Sequence, residues 1–203
     1  MKILLTGFEP FDGSTINPSA EIVQKISEDI VSGHHLIKKI LPVDNLQAVA
    51  WIEENLPIIQ PDIILHLGEA SSRSVITIEK VAINWMDFRI PDNAGKQIKD
   101  QPVIAGAPDA YFTSLPVDQI IDNVKEAWRS IELCVSAGAY LCNQVFYTSM
   151  HYTRLQNKEW ICGFIHLPSM PEQVVHKKNT SPSMGLPLSL KAIELALTAC
   201  VNQ

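Results

Sequence analysis

Along the chain, short apolar runs of strand length alternate with stretches whose apolar residues recur at helical spacing. Lys2 to Leu5 reads as a buried strand; Asn17-Pro18 then offers an N-cap followed by proline at the first helical position, with Ile22, Val23, Ile26 and Ile30 on one face behind it. A strand around Leu36 to Leu41 precedes a helix opened by Asp44, and Pro61-Asp62 leads into Ile63-Ile64-Leu65-His66-Leu67, an apolar run of buried-strand length. Val75 to Ile83 reads as a further strand, interrupted by Glu79, and an irregular region rich in Pro, Gly and Asp follows from Asn84 to about Leu115. Connections that long are usually functional.

Val117, Ile120, Ile121, Val124 and Trp128 mark an amphipathic helix, Ile131 to Val135 a strand, and Ser136-Ala137-Gly138-Ala139 a turn of small residues just ahead of Cys142. A helix from about Cys142 to Tyr152, a strand from Trp160 to His166, a Pro/Ser/Lys-rich loop through Gly185 and a last helix from about Leu188 to Cys200 complete the pattern. This alternation predicts one α/β domain over residues 1–203, a three-layer α/β/α sandwich around a mixed, largely parallel sheet. Ligand chemistry then belongs in the loops beyond the carboxyl ends of the strands.

Composition narrows the function classes. With 203 residues, 46% hydrophobic and 19% charged, the chain can bury a substantial core in one domain. A net charge of -6 leaves no basic footprint for nucleic acid and no cationic face for an anionic membrane, so neither partner is expected. The opening apolar run, Ile3-Leu4-Leu5, is followed at once by Glu9 and Asp12, and no stretch approaches the roughly 20 apolar residues of a membrane-spanning helix. A cytoplasmic protein is expected.

Cys134, Cys142, Cys162 and Cys200 lie far apart without zinc or redox spacing, which predicts free thiols. Cys134 and Cys162 fall in apolar strand patterns and Cys200 on or beside the apolar side of the last helix, so packing explains all three. Cys142 stands where a strand has ended and a helix begins, a place that favours a thiolate. A general base for it would project from a strand end, as both His66 and His166 do, and pattern alone does not separate them. His34, His35, His151 and His176 sit in polar or helical surroundings that read as surface. Glu79 is the natural carboxylate to orient an imidazole, because a charge in an apolar strand is costly without a partner; a solvent-facing position is the alternative.

At these residues the chain resembles the pyroglutamyl peptidase I family. The matching segments are Leu5-Thr6-Gly7-Phe8-Glu9-Pro10-Phe11 with Asn17-Pro18-Ser19; Ile78-Glu79 with Ala82-Ile83-Asn84; and Asp87 with Arg89-Ile90-Pro91-Asp92-Asn93 and Gly95. They continue through Ala110-Tyr111-Phe112 with Leu115-Pro116, Ser136-Ala137-Gly138 with Cys142-Asn143, and Gly163-Phe164-Ile165-His166 with Pro168. The resemblance implies Cys142 as nucleophile, His166 as general base and acid, Glu79 as the group orienting His166, Arg89 as oxyanion support, and Phe8, Phe11 and Asn17 as lining of a pyroglutamate pocket. It further implies substrates that are N-terminally pyroglutamylated peptides, no cofactor or metal, and a homotetramer. Read from the residues, Asn17 serves equally as a helix cap and Arg89 as a surface partner of Asp87 or Asp92. The chain departs from the family at Gly68-Glu69-Ala70-Ser71-Ser72-Arg73, where Gly-Gln-Ala-Gly-Gly-Arg is usual, and at Ala20, where tryptophan is usual. Glycines lost there imply an altered loop, and with it altered efficiency or specificity before lost chemistry.

Overall fold

A strand buried on both faces has no polar side to show, and the run from Ile63 is the clearest case. In the computed structural model, which describes residues 1–127, 130–156, 159–175 and 181–203, it forms the strand Ile63–Glu69 at the middle of a seven-stranded sheet. Trp128 and His176 lie outside the described residues.

The strands are β1 (Lys2–Phe8), β2 (His35–Leu41), β3 (Ile63–Glu69), β4 (Ile76–Ile83), β5 (Ala110–Phe112), β6 (Ile131–Ser136) and β7 (Ile161–Leu167). The helices are α1 (Pro18–Lys25), α2 (Asn45–Ile59), α3 (Val117–Glu126), α4 (Leu141–Leu155), α5 (Pro171–Val174) and α6 (Leu186–Val201), with a 3-10 turn at Glu28–Val31. The sheet runs β2-β1-β3-β7-β4-β5, with β6 also paired to β4. The β1/β2, β1/β3, β3/β7 and β4/β6 pairs are parallel, and β4 meets β7 and β5 antiparallel.

Alternation along β3 divides the core in two. Ile63, Leu65 and Leu67 join a cluster with Ile22, Ile120 and Ile193, from α1, α3 and α6. Ile64 points the other way and joins Ile52, Val145 and Phe146, from α2 and α4. The sandwich is therefore the expected three layers, with a mixed, mostly parallel sheet. Helix starts follow the sequence signals: Asn17 accepts from the Ser19 N–H, and Asp44 accepts from the N–H groups of Leu46 and Gln47.

The differences are short elements and ends. Two pieces were not foreseen inside loops, β5 with three residues and α5 with four; both are too brief to leave a periodic signal. The first helix was expected to carry Ile26 and Ile30 but stops at Lys25, and Ile30 falls in the 3-10 turn.

Candidate active site

Strand register builds the site. In the β3/β7 pair Gly68 lies opposite His166, and in the β7/β4 pair Thr77 lies opposite His166 while Glu79 lies opposite Phe164. Residues two apart on a strand share a face, so the Glu79 carboxylate reaches His166 diagonally. His166 Nδ1 donates to Glu79 Oε1 at 2.9 Å, which leaves Nε2 as the free ring nitrogen. Thr77 Oγ1 donates to the same carboxylate oxygen at 2.9 Å, and the Arg73 guanidinium donates to both Thr77 and Glu79. Glu79 is 0% exposed, so the solvent-facing alternative is excluded. Its burial favours the neutral acid, but the His166 and Arg73 contacts outweigh this and hold the carboxyl below its ordinary range.

Cys142 is the second residue of α4, whose first N–H groups have no partner within the helix. Asn143, fully buried beside it, pins this end to β4: its Oδ1 accepts from the Ile83 N–H at 2.9 Å, and its Nδ2 donates to the carbonyls of Ile83 at 2.8 Å and Trp85 at 3.1 Å. The sulfur then lies over Gly68, where a Cβ would stand 2.9 Å from Sγ and 2.7 Å from the Phe164 ring. Gly68 neighbours His166 in the sheet, so thiol and imidazole lie on the same face of it. Both line a cavity of about 510 Å³, together with Phe11, Glu69, Arg73 and Arg89.

The helix start favours a thiolate, and burial acts against it. Burial, and secondarily the Glu79 charge, push the Cys142 thiol up to about 12, against the smaller opposing pull of its own backbone hydrogen bond and of Arg73. Among the other cysteines, Cys162 and Cys200 are buried and Cys134 is half-buried within β6.

The two histidines part company. His66 is 0% exposed, with Nδ1 2.7 Å from Thr6 Oγ1 and Nε2 2.9 Å from Ser149 Oγ, and burial holds it neutral down to about 3. His166 lies one side-chain layer nearer the end of the sheet, facing the cavity.

The remaining candidates divide as well. Arg89 lines the cavity and, among the described residues, makes no ion pair: Asp87 pairs with Lys99 at 2.8 Å, and Asp92 accepts from the N–H groups of Asn45, Ala94 and Lys96. Phe11 lines the cavity, with Tyr140 at 6.4 Å between ring centres. Phe8, 3% exposed, packs in the core, and Asn17, 1% exposed, accepts from Ser19 and donates to the Glu9 carbonyl; neither is among the residues lining the cavity. Positive φ in non-glycine residues occurs at Asp12, Gln60 and Asp100 and not at Ser71 or Ser72, so the serines carry no backbone strain in that loop. Arg73 and Tyr140 were not foreseen as parts of the site. An arginine after a polar loop and a tyrosine before a helix carry no periodic signal, and only register reveals what they touch.

A thiol at a helix start, an imidazole with one free nitrogen and a buried carboxylate on a mixed α/β sheet are the parts of a cysteine hydrolase. Comparison with known proteins agrees: the pyroglutamyl peptidase family model matches residues 1–203. The pyrrolidone-carboxylate peptidase of Pyrococcus furiosus is 39% identical over 206 residues, covering 100% of this chain and 99% of that protein. That of Treponema denticola is 40% identical over 205 residues, covering 100% and 94%. A solved mutant pyrrolidone carboxyl peptidase from Pyrococcus furiosus superposes with a TM-score of 0.96 at 39% identity, covering 100% of this chain and 99% of the other. The chain belongs to the pyroglutamyl peptidase family.

Proposed function

We propose that this chain hydrolyses the amide bond following an amino-terminal pyroglutamyl residue of peptides, through an acyl-enzyme on Cys142. The observation that carries the reading is the one cavity wall that carries both Cys142 and His166, with a ring nitrogen of His166 held by Glu79. Pyroglutamate is an uncharged lactam with no α-ammonium to grip, so a part-apolar cavity suits it better than a charged one. Phe11 encloses the ring methylenes, while Phe8 and Asn17 shape that segment from within.

With burial pushing the Cys142 thiol up to about 12, attack is coupled to transfer of the sulfur's proton. The Sγ–H proton passes to His166 Nε2 as sulfur bonds to the pyroglutamyl carbonyl carbon. The developing oxyanion takes the N–H groups at the start of α4 and the guanidinium of Arg89 on the cavity wall. Collapse breaks the C–N bond, and the imidazolium gives its proton to the departing amine. Water, deprotonated by His166, then opens the thioester and returns the proton to sulfur, while Glu79 keeps the ring aligned through both halves.

Hydrolysis of a pyroglutamyl arylamide tests this. Cys142→Ser is expected to lose about 10³-fold or more in kcat/KM, and an unchanged rate removes the nucleophile. Arg89→Met is expected to lower kcat by about 10- to 100-fold with KM little changed. The reading also includes a cytoplasmic site of action, supported by four free cysteines, and a homotetramer, supported by exposed Phe112 on β5 and exposed Leu133 and Val135 on β6. Among the described residues, no helix is long and apolar enough to cross a membrane.

A further inference from the structure

Arg73 meets the carboxylate that orients the imidazole, yet nothing in the reaction as written uses it. Its guanidinium donates to Glu79 Oε1, the oxygen that also receives His166 Nδ1–H and Thr77 Oγ–H. Arg73 is 26% exposed and Glu79 0%, so the pair bridges from the cavity wall to the interior. A carboxylate taken wholly out of water is stable only with compensating charge. In the free enzyme His166 must be neutral to accept the thiol proton, and at that stage the imidazole supplies none. Arg73 is the one cation in contact with Glu79 through that stage, among the described residues.

We propose that Arg73 is a positioning residue for acid–base catalysis: it keeps Glu79 ionised while His166 is neutral, and by sharing that negative charge it keeps His166 from holding its proton too tightly. The proposal rests on the assignment of Cys142, His166 and Glu79 as the reacting set. The charged and titratable groups around the imidazole are Glu79 on β4, Glu69 at the end of β3, Arg73 in the loop that follows it, Cys142 on α4, and Asp12, Arg89 and Tyr140 elsewhere on the cavity wall. His66, deeper on β3, stays neutral throughout. Removing the guanidinium deletes the positive charge nearest the pair, so the pair must retain a proton to higher pH. The active protonation state then appears later as pH rises.

The test is the pH profile of kcat/KM on a pyroglutamyl arylamide for wild type, Arg73→Gln, Arg73→Met and Arg73→Lys. The neutral variants are expected to shift the acid limb upward by about one pH unit, and Arg73→Lys is expected to return it toward wild type because it keeps a point charge. If Arg73 serves only to shape its loop, kcat falls while the acid limb stays in place; that outcome overturns the proposal. Should a neutral variant turn over too slowly, or one of the two fail to fold, the pH dependence of alkylation at residue 142 in the folded variant gives the same reading without catalysis. Failure of the underlying assignment shows separately, as a Cys142→Ser enzyme that keeps full activity.

Discussion

At the scale of single residues, polarity out of place was the most informative signal. Glu79 stood out because an apolar strand does not carry a carboxylate without cause, and the structure supplies three donors to one of its oxygens. Cys142 stood out by position, at the start of a helix after a small-residue turn. Burial and the nearby Glu79 charge act against its ionisation there. The choice between His66 and His166 was not legible in the pattern, since both end apolar runs; what differs is the partner across the sheet, Phe164 for one and Gly68 for the other. Glu79→Gln retains the shape but not the charge that steadies the imidazolium, so kcat is expected to fall about 10²-fold or more with the chain still folded. Stopped or continuous arylamide assays beside circular dichroism check this, and an undiminished kcat would place Glu79 outside the chemistry.

At the scale of elements, the helix that carries Cys142 owes its placement to the residue beside it. Asn143 satisfies one N–H and two carbonyls at Ile83 and Trp85, past the last β4/β6 pair at Val81 and Ser136. Asn143→Ala leaves those buried backbone groups without partners and is expected to cost at least about 2 kcal/mol in urea unfolding, with a lower kcat because Cys142 loses its anchor. Gly68→Ala sets a methyl group against the sulfur and the Phe164 ring; thiol reactivity and turnover should both drop, and a wild-type rate would show that the contact relaxes freely. Long elements were legible because apolar period and end signals agree over many residues. The long loop after β4 was foreseen as functional and contributes Arg89, but β5 within it was not, because three residues of pairing depend on β4 alone.

At the scale of the molecule, two apolar cores on either side of one sheet hold a polar layer between β3, β4, β7 and α4. That layer makes stability depend on pH. An unfolded His66 takes up its proton near 6.5, whereas the folded one remains neutral until about 3. Between these values the unfolded chain binds more protons, so this group erodes stability as pH falls, by about 1.4 kcal/mol per pH unit. His66→Gln removes the titration and should flatten the fall in urea-unfolding free energy between pH 6 and about pH 4 by one proton's worth relative to wild type; equal slopes would show that His66 is not buried neutral. The sheet and its layers were readable from alternation, while the site was readable only in part, because a cavity belongs to register and loop closure rather than to any one segment. The central claim is that acyl transfer runs through the Cys142 sulfur, and the most direct measurement is mass mapping of enzyme quenched in acid during turnover of an activated pyroglutamyl ester. A pyroglutamyl adduct on Cys142 alone is expected; an adduct on Cys134, Cys162, Cys200 or a side chain that is not cysteine would contradict that route.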